Sequence, residues 1–252
     1  MIGRRHPAFA RIDHRPWPVP TRPWAWHQSW RELLFVHWPV PAAALQPLVP
    51  RGLAVQEFEG TSWVGVVPFR MTGVMRRPFP DLPGISAFPE LNVRIYVEAE
   101  GKPGVWFLSL DAANPLAVRA ARRFLHLPYH DADIAFERTG DDLTFASQRR
   151  GAPERFQATY GPTGPDEEAE TGTLEHWLTE RYCLYAQAPD GRLLRNEAHH
   201  APWPLRPAYA NLEPTTLLAG FGIEPGPGRP HVRYADGVNV VVWDAEVVPV
   251  VP

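Results

Sequence analysis

Glu90, Asn92, Arg94 and Tyr96 stand two residues apart in the segment Glu-Leu-Asn-Val-Arg-Ile-Tyr-Val-Glu, residues 90–98. Side chains alternate along a strand, so these four and Glu98 share one face while Leu91, Val93, Ile95 and Val97 share the other. A row of polar groups facing the interior must find partners, because an unpaired buried charge is costly. Two readings fit the row: an internal Glu–Arg network, or a polar ligand pocket. In the pocket reading Arg94 clamps a carboxylate with its planar donor fork. Glu90 then serves as general acid or base, its pKa raised by burial, and Asn92 and Tyr96 complete the ligand-binding face.

A second group follows Pro128. Tyr129 suits hydrogen-bond donation to a developing oxyanion, and His130 suits proton transfer near neutral pH. The plainer alternative is packing beneath a helix. His199 and His200 are adjacent, so at most one of them faces a cavity; His200 is the expected ligand contact. Trp63 and Trp106 sit on expected strands and are assigned to the cavity wall, where aromatic surface holds a flat or apolar ligand body.

Other chemistries fall away. Cys183 is the only cysteine, which excludes an internal disulfide and a cysteine-based zinc site. His126 and His130 have the spacing of helical metal ligands, but Pro128 breaks the helix that would align them. No metal and no cofactor are expected. No glycine-flanked serine elbow is present, and the Gly-Pro runs lack a strand-to-helix phosphate cradle. Lys102 is the only lysine, in a Gly-Lys-Pro-Gly turn at 101–104 that should leave it in solvent.

The elements that must position these groups read as follows. The chain has 252 residues, 44% hydrophobic and 21% charged with a net charge of -3, which fits a globular core and carries no nucleic-acid footprint. Thirty prolines disfavour a mostly helical fold. No apolar run reaches the ~20 residues of a membrane helix, and no signal-peptide core is seen, so no membrane partner and a cytoplasmic location are expected. Residues 1–23 form a basic, proline-rich arm, and residues 24–252 read as one domain. Strands are expected at 33–38, 62–71, 90–98, 105–110, 134–138, 142–148, 155–160 and 237–243, with an Asp190-Gly191 hairpin. Asn114-Pro115 caps the clearest helix, with Leu116, Ala120, Phe124 and Leu127 as its apolar stripe. Thr173 caps another. Eleven or twelve strands with two or three short helices make a β-rich α+β fold.

With Leu-Leu-Phe-Val-His-Trp-Pro-Val-Pro (33–41), Phe-Pro-Glu-Leu-Asn-Val-Arg-Ile-Tyr-Val (88–97), Ala-Arg-Arg-Phe-Leu-His-Leu-Pro-Tyr-His (121–130) and His-His-Ala-Pro-Trp-Pro-Leu (199–205) in place, the chain resembles the YqjF-like bacterial proteins from Trp30 to Trp243. That family has no assigned activity and is similar to the acetoacetate decarboxylase-like superfamily. The resemblance implies a closed, double-cone antiparallel β-barrel with a central cavity. The superfamily's name-giving enzyme uses a Schiff-base lysine, activated by a neighbouring cation in an apolar pocket. Its strand glutamate falls on Glu90. Its lysine pair falls on Tyr129 and His130, so the Schiff-base mechanism is not carried over. What remains is lyase- or isomerase-like chemistry on a small keto or enol carboxylic acid, with Glu90 and His130 moving protons and Tyr129 polarising a carbonyl. A non-catalytic sensor or carrier of a small carboxylate, and a filled structural barrel, are the alternatives. Association into a homo-oligomer stays open.

Overall fold

The computed structural model describes residues 6–81, 86–226 and 228–249. Fourteen strands are present: β1 (Trp26–Val40), β2 (Ala54–Val55), β3 (Ser62–Arg76), β4 (Phe88–Ala99), β5 (Lys102–Ala112), β6 (Tyr129–Thr139), β7 (Asp142–Arg149), β8 (Arg155–Pro162), β9 (Cys183–Gln187), β10 (Leu193–His199), β11 (Leu205–Arg206), β12 (Ala208–Leu212), β13 (His231–Val242) and β14 (Glu246–Val247). Among the described residues three α-helices accompany them: α1 (Ala42–Leu45), α2 (Pro115–Phe124) and α3 (Leu174–Thr179). The β-rich expectation holds, but the strands join in one mixed sheet rather than an antiparallel one. β5 runs parallel to both β6 and β9, while its pairing with β4 is antiparallel.

The long strands exceed their sequence signals because irregularities bend them without ending them. β1 turns at Glu32, whose φ is 58°, and its register against β3 shifts between Arg31 and Val36. The bulge is pinned from both sides: the Glu32 carboxylate meets Arg70 at 3.0 Å and Arg138 at 3.1 Å. Gly237 permits the close approach of β13 to β1, since a Cβ there would stand 2.1 Å from the Trp30 carbonyl oxygen. The β4–β5 hairpin turns on Glu100 and Gly101, both at positive φ, so Lys102 begins a strand instead of lying in a turn.

The two faces of β4 are both buried, for different reasons. Leu91, Val93, Ile95 and Val97 pack into a core that includes Phe145, Phe156 and Tyr160 of β7 and β8, so that meander covers one side. The opposite side faces a second core built around Val67, Phe69, Leu110, Leu127, Tyr129 and Trp203. The polar row of β4 therefore points into an apolar interior.

α2 begins where the capping pair placed it. The Asn114 side chain accepts hydrogen bonds from the amides of Leu116 and Ala117 at 3.0 and 3.2 Å. Of the expected stripe Leu127 is buried, but Leu116 and Phe124 are more than half exposed; Val118 is fully buried and Leu125 nearly so, with Ala117 and Ala121 packed beside them. Tyr129 meets the helix from below, its carbonyl accepting from Arg122 Nε at 2.6 Å.

The arm after residue 5 lies against the chain's own β10. Arg15, almost fully buried, pairs with Glu197 at 2.6 Å, and Trp17 Nε1 donates to the same carboxylate at 2.7 Å. Lys102 completes this network as an ion pair with Glu197. The exposed lysine expected from the sequence is thus half-buried and committed.

Candidate functional site

Glu90 is 2% exposed, and its carboxyl accepts a 2.8 Å hydrogen bond from the Tyr129 hydroxyl. The two residues reach each other across β5, which lies between their strands: Leu110 is in register with Asn92 on one side and with Tyr129 on the other. Burial pushes the Glu90 carboxyl up to about 8; the Tyr129 hydrogen bond opposes this, and nearby Asp111 adds to it. At neutral pH Glu90 is therefore mostly a neutral acid. Tyr129 is also buried, and burial beside Glu90 raises its hydroxyl well above the usual phenol range.

This pair forms part of the wall of a partly enclosed chamber of about 70 Å³. One water needs roughly 10–15 Å³ of such space, so the chamber has room for about five to seven heavy atoms. Its wall draws on β1, β3, β4, β5, β9, β10 and β13, and on Trp203 and His200 from the loop after β10. Most of the lining is apolar.

Two guanidinium groups reach the same space. Arg94 leaves Nε and Nη2 buried and without a hydrogen-bond partner. Arg181 donates from Nε to the Trp177 carbonyl and from Nη1 to Gln56, both at 2.6 Å, and keeps Nη2 buried and unpartnered. Desolvation lowers the Arg181 pKa to about 10, which still leaves it charged at neutral pH. The Asn92 side-chain oxygen is a buried acceptor with no partner. With Glu90 neutral and His200 held neutral by burial, the chamber carries net positive charge and unsatisfied donors. Such a site is arranged for a small anion.

The expected residues divide between the inside and outside of this chamber. Glu90, Asn92, Arg94, Tyr129 and His200 line it. His130 does not: it follows Tyr129 on β6 and so faces the opposite side, where its neighbours are Arg122 and Arg149. Tyr96 lies behind the chamber, fully buried, its hydroxyl 2.6 Å from His37 Nε2 and its ring against Trp177. Trp63 packs beside Tyr96 and Leu178, and Trp106 faces an outer groove. A bulge explains Trp106: register against β4 shifts between Val93 and Arg94, leaving Leu108 as the extra residue and turning Phe107 inward. Of the two adjacent histidines His200 lines the chamber, while His199 stacks on Phe9 of the arm.

Asp111 is a buried strand residue paired with Arg149 at 2.9 Å. Cys183 touches the chamber, but burial pushes its thiol up to about 12, which makes it a poor nucleophile at neutral pH. Among the described residues no group of three or more His, Cys, Asp or Glu side chains is placed to hold a metal ion. No described helix is long and apolar enough to cross a membrane.

Sequence reasoning missed Arg181, Thr179, Gln28 and Trp203 as chamber residues. Arg181 left one trace, a charge two residues before the apolar strand Cys-Leu-Tyr-Ala.

Comparison with known proteins places this geometry. A family of proteins described as uncharacterized and conserved, DUF2071, matches residues 27–239. The uncharacterized protein YqjF of Bacillus subtilis strain 168 is 40% identical over 234 residues, 92% of this chain and 96% of that protein. Among solved structures, the enduracididine biosynthesis enzyme MppR complexed with pyruvate superposes with a TM-score of 0.65 at 14% identity, covering 92% of this chain and 93% of that one. An acetoacetate decarboxylase from Legionella pneumophila gives 0.62 at 15% identity, covering 96% and 95%.

Proposed function

The chain belongs to the DUF2071 family and has the acetoacetate decarboxylase-like fold, and from that premise we propose that it is an enzyme acting on a small keto or enol carboxylic acid without a Schiff base. The observation that carries the reading is the chamber's polarity: unpartnered Arg94 and Arg181 donors at one part, the neutral Glu90–Tyr129 pair at another. We read the ring of pairings β4–β5–β9–β10–β13–β1–β3–β4 as a barrel closed around that chamber.

Glu90 and Arg94 are four residues apart on one strand, about 13 Å between their backbones. A ligand of five to seven heavy atoms lies between the two side chains, over Asn92. Arg94 receives the carboxylate in its fork, with Arg181 Nη2 adding charge. The carbonyl end then meets Glu90. The ionised fraction of Glu90 takes a proton from the carbon beside the carbonyl, leaving the C–H electron pair in the enolate; the resulting neutral acid then returns a proton to that carbon and is again a carboxylate. The Tyr129 hydroxyl stabilises that carboxylate, so the pair cycles between protonation states inside a largely apolar chamber. His130 has no part in this scheme. The superfamily's lysine chemistry is absent from it as well, because Lys102 is engaged by Glu197.

MppR has been solved with pyruvate, and pyruvate is a small anion of the kind that the unpartnered Arg94 and Arg181 donors would receive. The test is proton exchange. The protein is incubated with pyruvate in deuterium oxide, and deuterium at the methyl carbon is followed by NMR. Exchange above the buffer rate that disappears in Glu90→Gln is expected. Tight pyruvate binding without exchange would replace the enzyme reading with a carrier, and neither binding nor exchange would remove pyruvate-like acids as ligands.

A further inference from the structure

Outside the chamber, on the reverse side of Tyr129, two depressions meet. One is a basic cleft of about 320 Å³ between α2 and the ends of β6 and β7. Arg119 and Arg122 enter it from successive turns of α2, being i+4 and i+7 from Pro115, while Arg149 and Arg150 come from the end of β7. The other is a largely apolar groove of about 630 Å³, walled by Trp106, Leu108, Leu48, Pro128 and Phe221. They share Arg122 and His130, so they form one continuous surface.

The charges of the cleft are not all committed. Arg149 pairs with Asp111 and Glu154, and Arg150 with Asp133 at 2.8 Å. Arg119 and Arg122 have no carboxylate partner among the described residues, and Arg122 uses only Nε, on the Tyr129 carbonyl. Asp131 is the one carboxylate in the cleft wall. His130, between the two depressions, is kept neutral by burial and by the neighbouring Arg149 and Arg122.

We propose that this surface is a second binding site, distinct from the chamber, for a phosphate-bearing ligand with a flat apolar body, the chemistry of a nucleoside phosphate. Arg119 and Arg122 take the phosphate, with Arg149 held behind them by its own ion pairs, and the Trp106 side of the groove takes the flat body. The arrangement does not fit a free inorganic anion alone, because that would leave the adjoining apolar groove unused.

The probe is ADP, titrated calorimetrically into the full chain beside adenosine and inorganic phosphate. ADP should bind at least tenfold more tightly than either fragment. Arg119→Glu should weaken ADP at least fivefold without changing thermal stability, because Arg119 is exposed and makes no ion pair among the described residues. Arg94→Ala, in the chamber, should leave ADP affinity within twofold. The proposal is overturned if ADP binds no better than phosphate, if Arg119→Glu binds it unchanged, or if Arg94→Ala abolishes binding, which would put the nucleotide in the chamber.

Discussion

The Tyr129 hydroxyl reaches the Glu90 carboxyl at 2.8 Å over the intervening strand β5, joining β6 to β4 through side chains alone. Both groups are buried, and each changes the other's protonation.

Tyr129→Phe removes a hydrogen bond that lowers the Glu90 pKa, so the carboxyl should titrate above 8 in the variant. The fold should survive with a loss of about 1 kcal/mol, the size of one neutral hydrogen bond. A pH-dependent carbon NMR signal from labelled glutamate measures the first effect and urea unfolding the second.

Glu90 also predicts the pH dependence of stability. Its folded pKa of about 8 lies above its ordinary value of 4.5, so the folded state holds the proton more tightly. The stabilisation is fully present below pH 4.5 and is lost as pH rises toward 8, with a slope of ~1.4 kcal/mol per pH unit from this one group. Glu90→Gln should flatten that slope, gaining on the wild type as pH rises. Chemical denaturation of both proteins between pH 5 and 8.5 checks this.

Arg94→Met should separate binding from folding. It removes a partly buried cation whose Nε and Nη2 have no hydrogen-bond partner, so stability should hold or rise, since such donors are costly to desolvate. Pyruvate affinity should fall at least tenfold. Calorimetry and a thermal melt on the same preparation read both quantities.

Glu197→Ala should act in the opposite way. It strands Arg15, whose side chain is 1% exposed, and frees Lys102 and Trp17. A loss of about 3–5 kcal/mol is expected from breaking such a buried network. The arm should also become sensitive to limited proteolysis, and an arm that stays protected would contradict this account.

Borohydride reduction in the presence of pyruvate should leave the mass of Lys102-containing peptides unchanged, because the amine is engaged by the Glu197 carboxylate and lies outside the chamber wall. A pyruvate adduct on Lys102 would restore the Schiff-base mechanism.

The alternation along 90–98 was enough to put Glu90, Asn92 and Arg94 on one face and the aliphatic residues on the other, because strand periodicity is a local property of the backbone. The Asn-Pro cap of α2 was equally local. That Lys102 is the single lysine of the chain was visible by residue type alone. Tertiary structure decided the rest. Tyr96 shares the face of Arg94 but is lost to the chamber, since His37 from β1 and Trp177 from α3 close over it. Trp106 and His130 point outward through a bulge and an alternation whose phase only the packed strands fix. Arg181 enters from a segment nearly ninety residues distant from Arg94, and Lys102 meets a glutamate 95 residues away. Spacing along the chain orders neighbours on one element; which elements meet, and which charges they leave unpaired between them, is set by the packing of the whole.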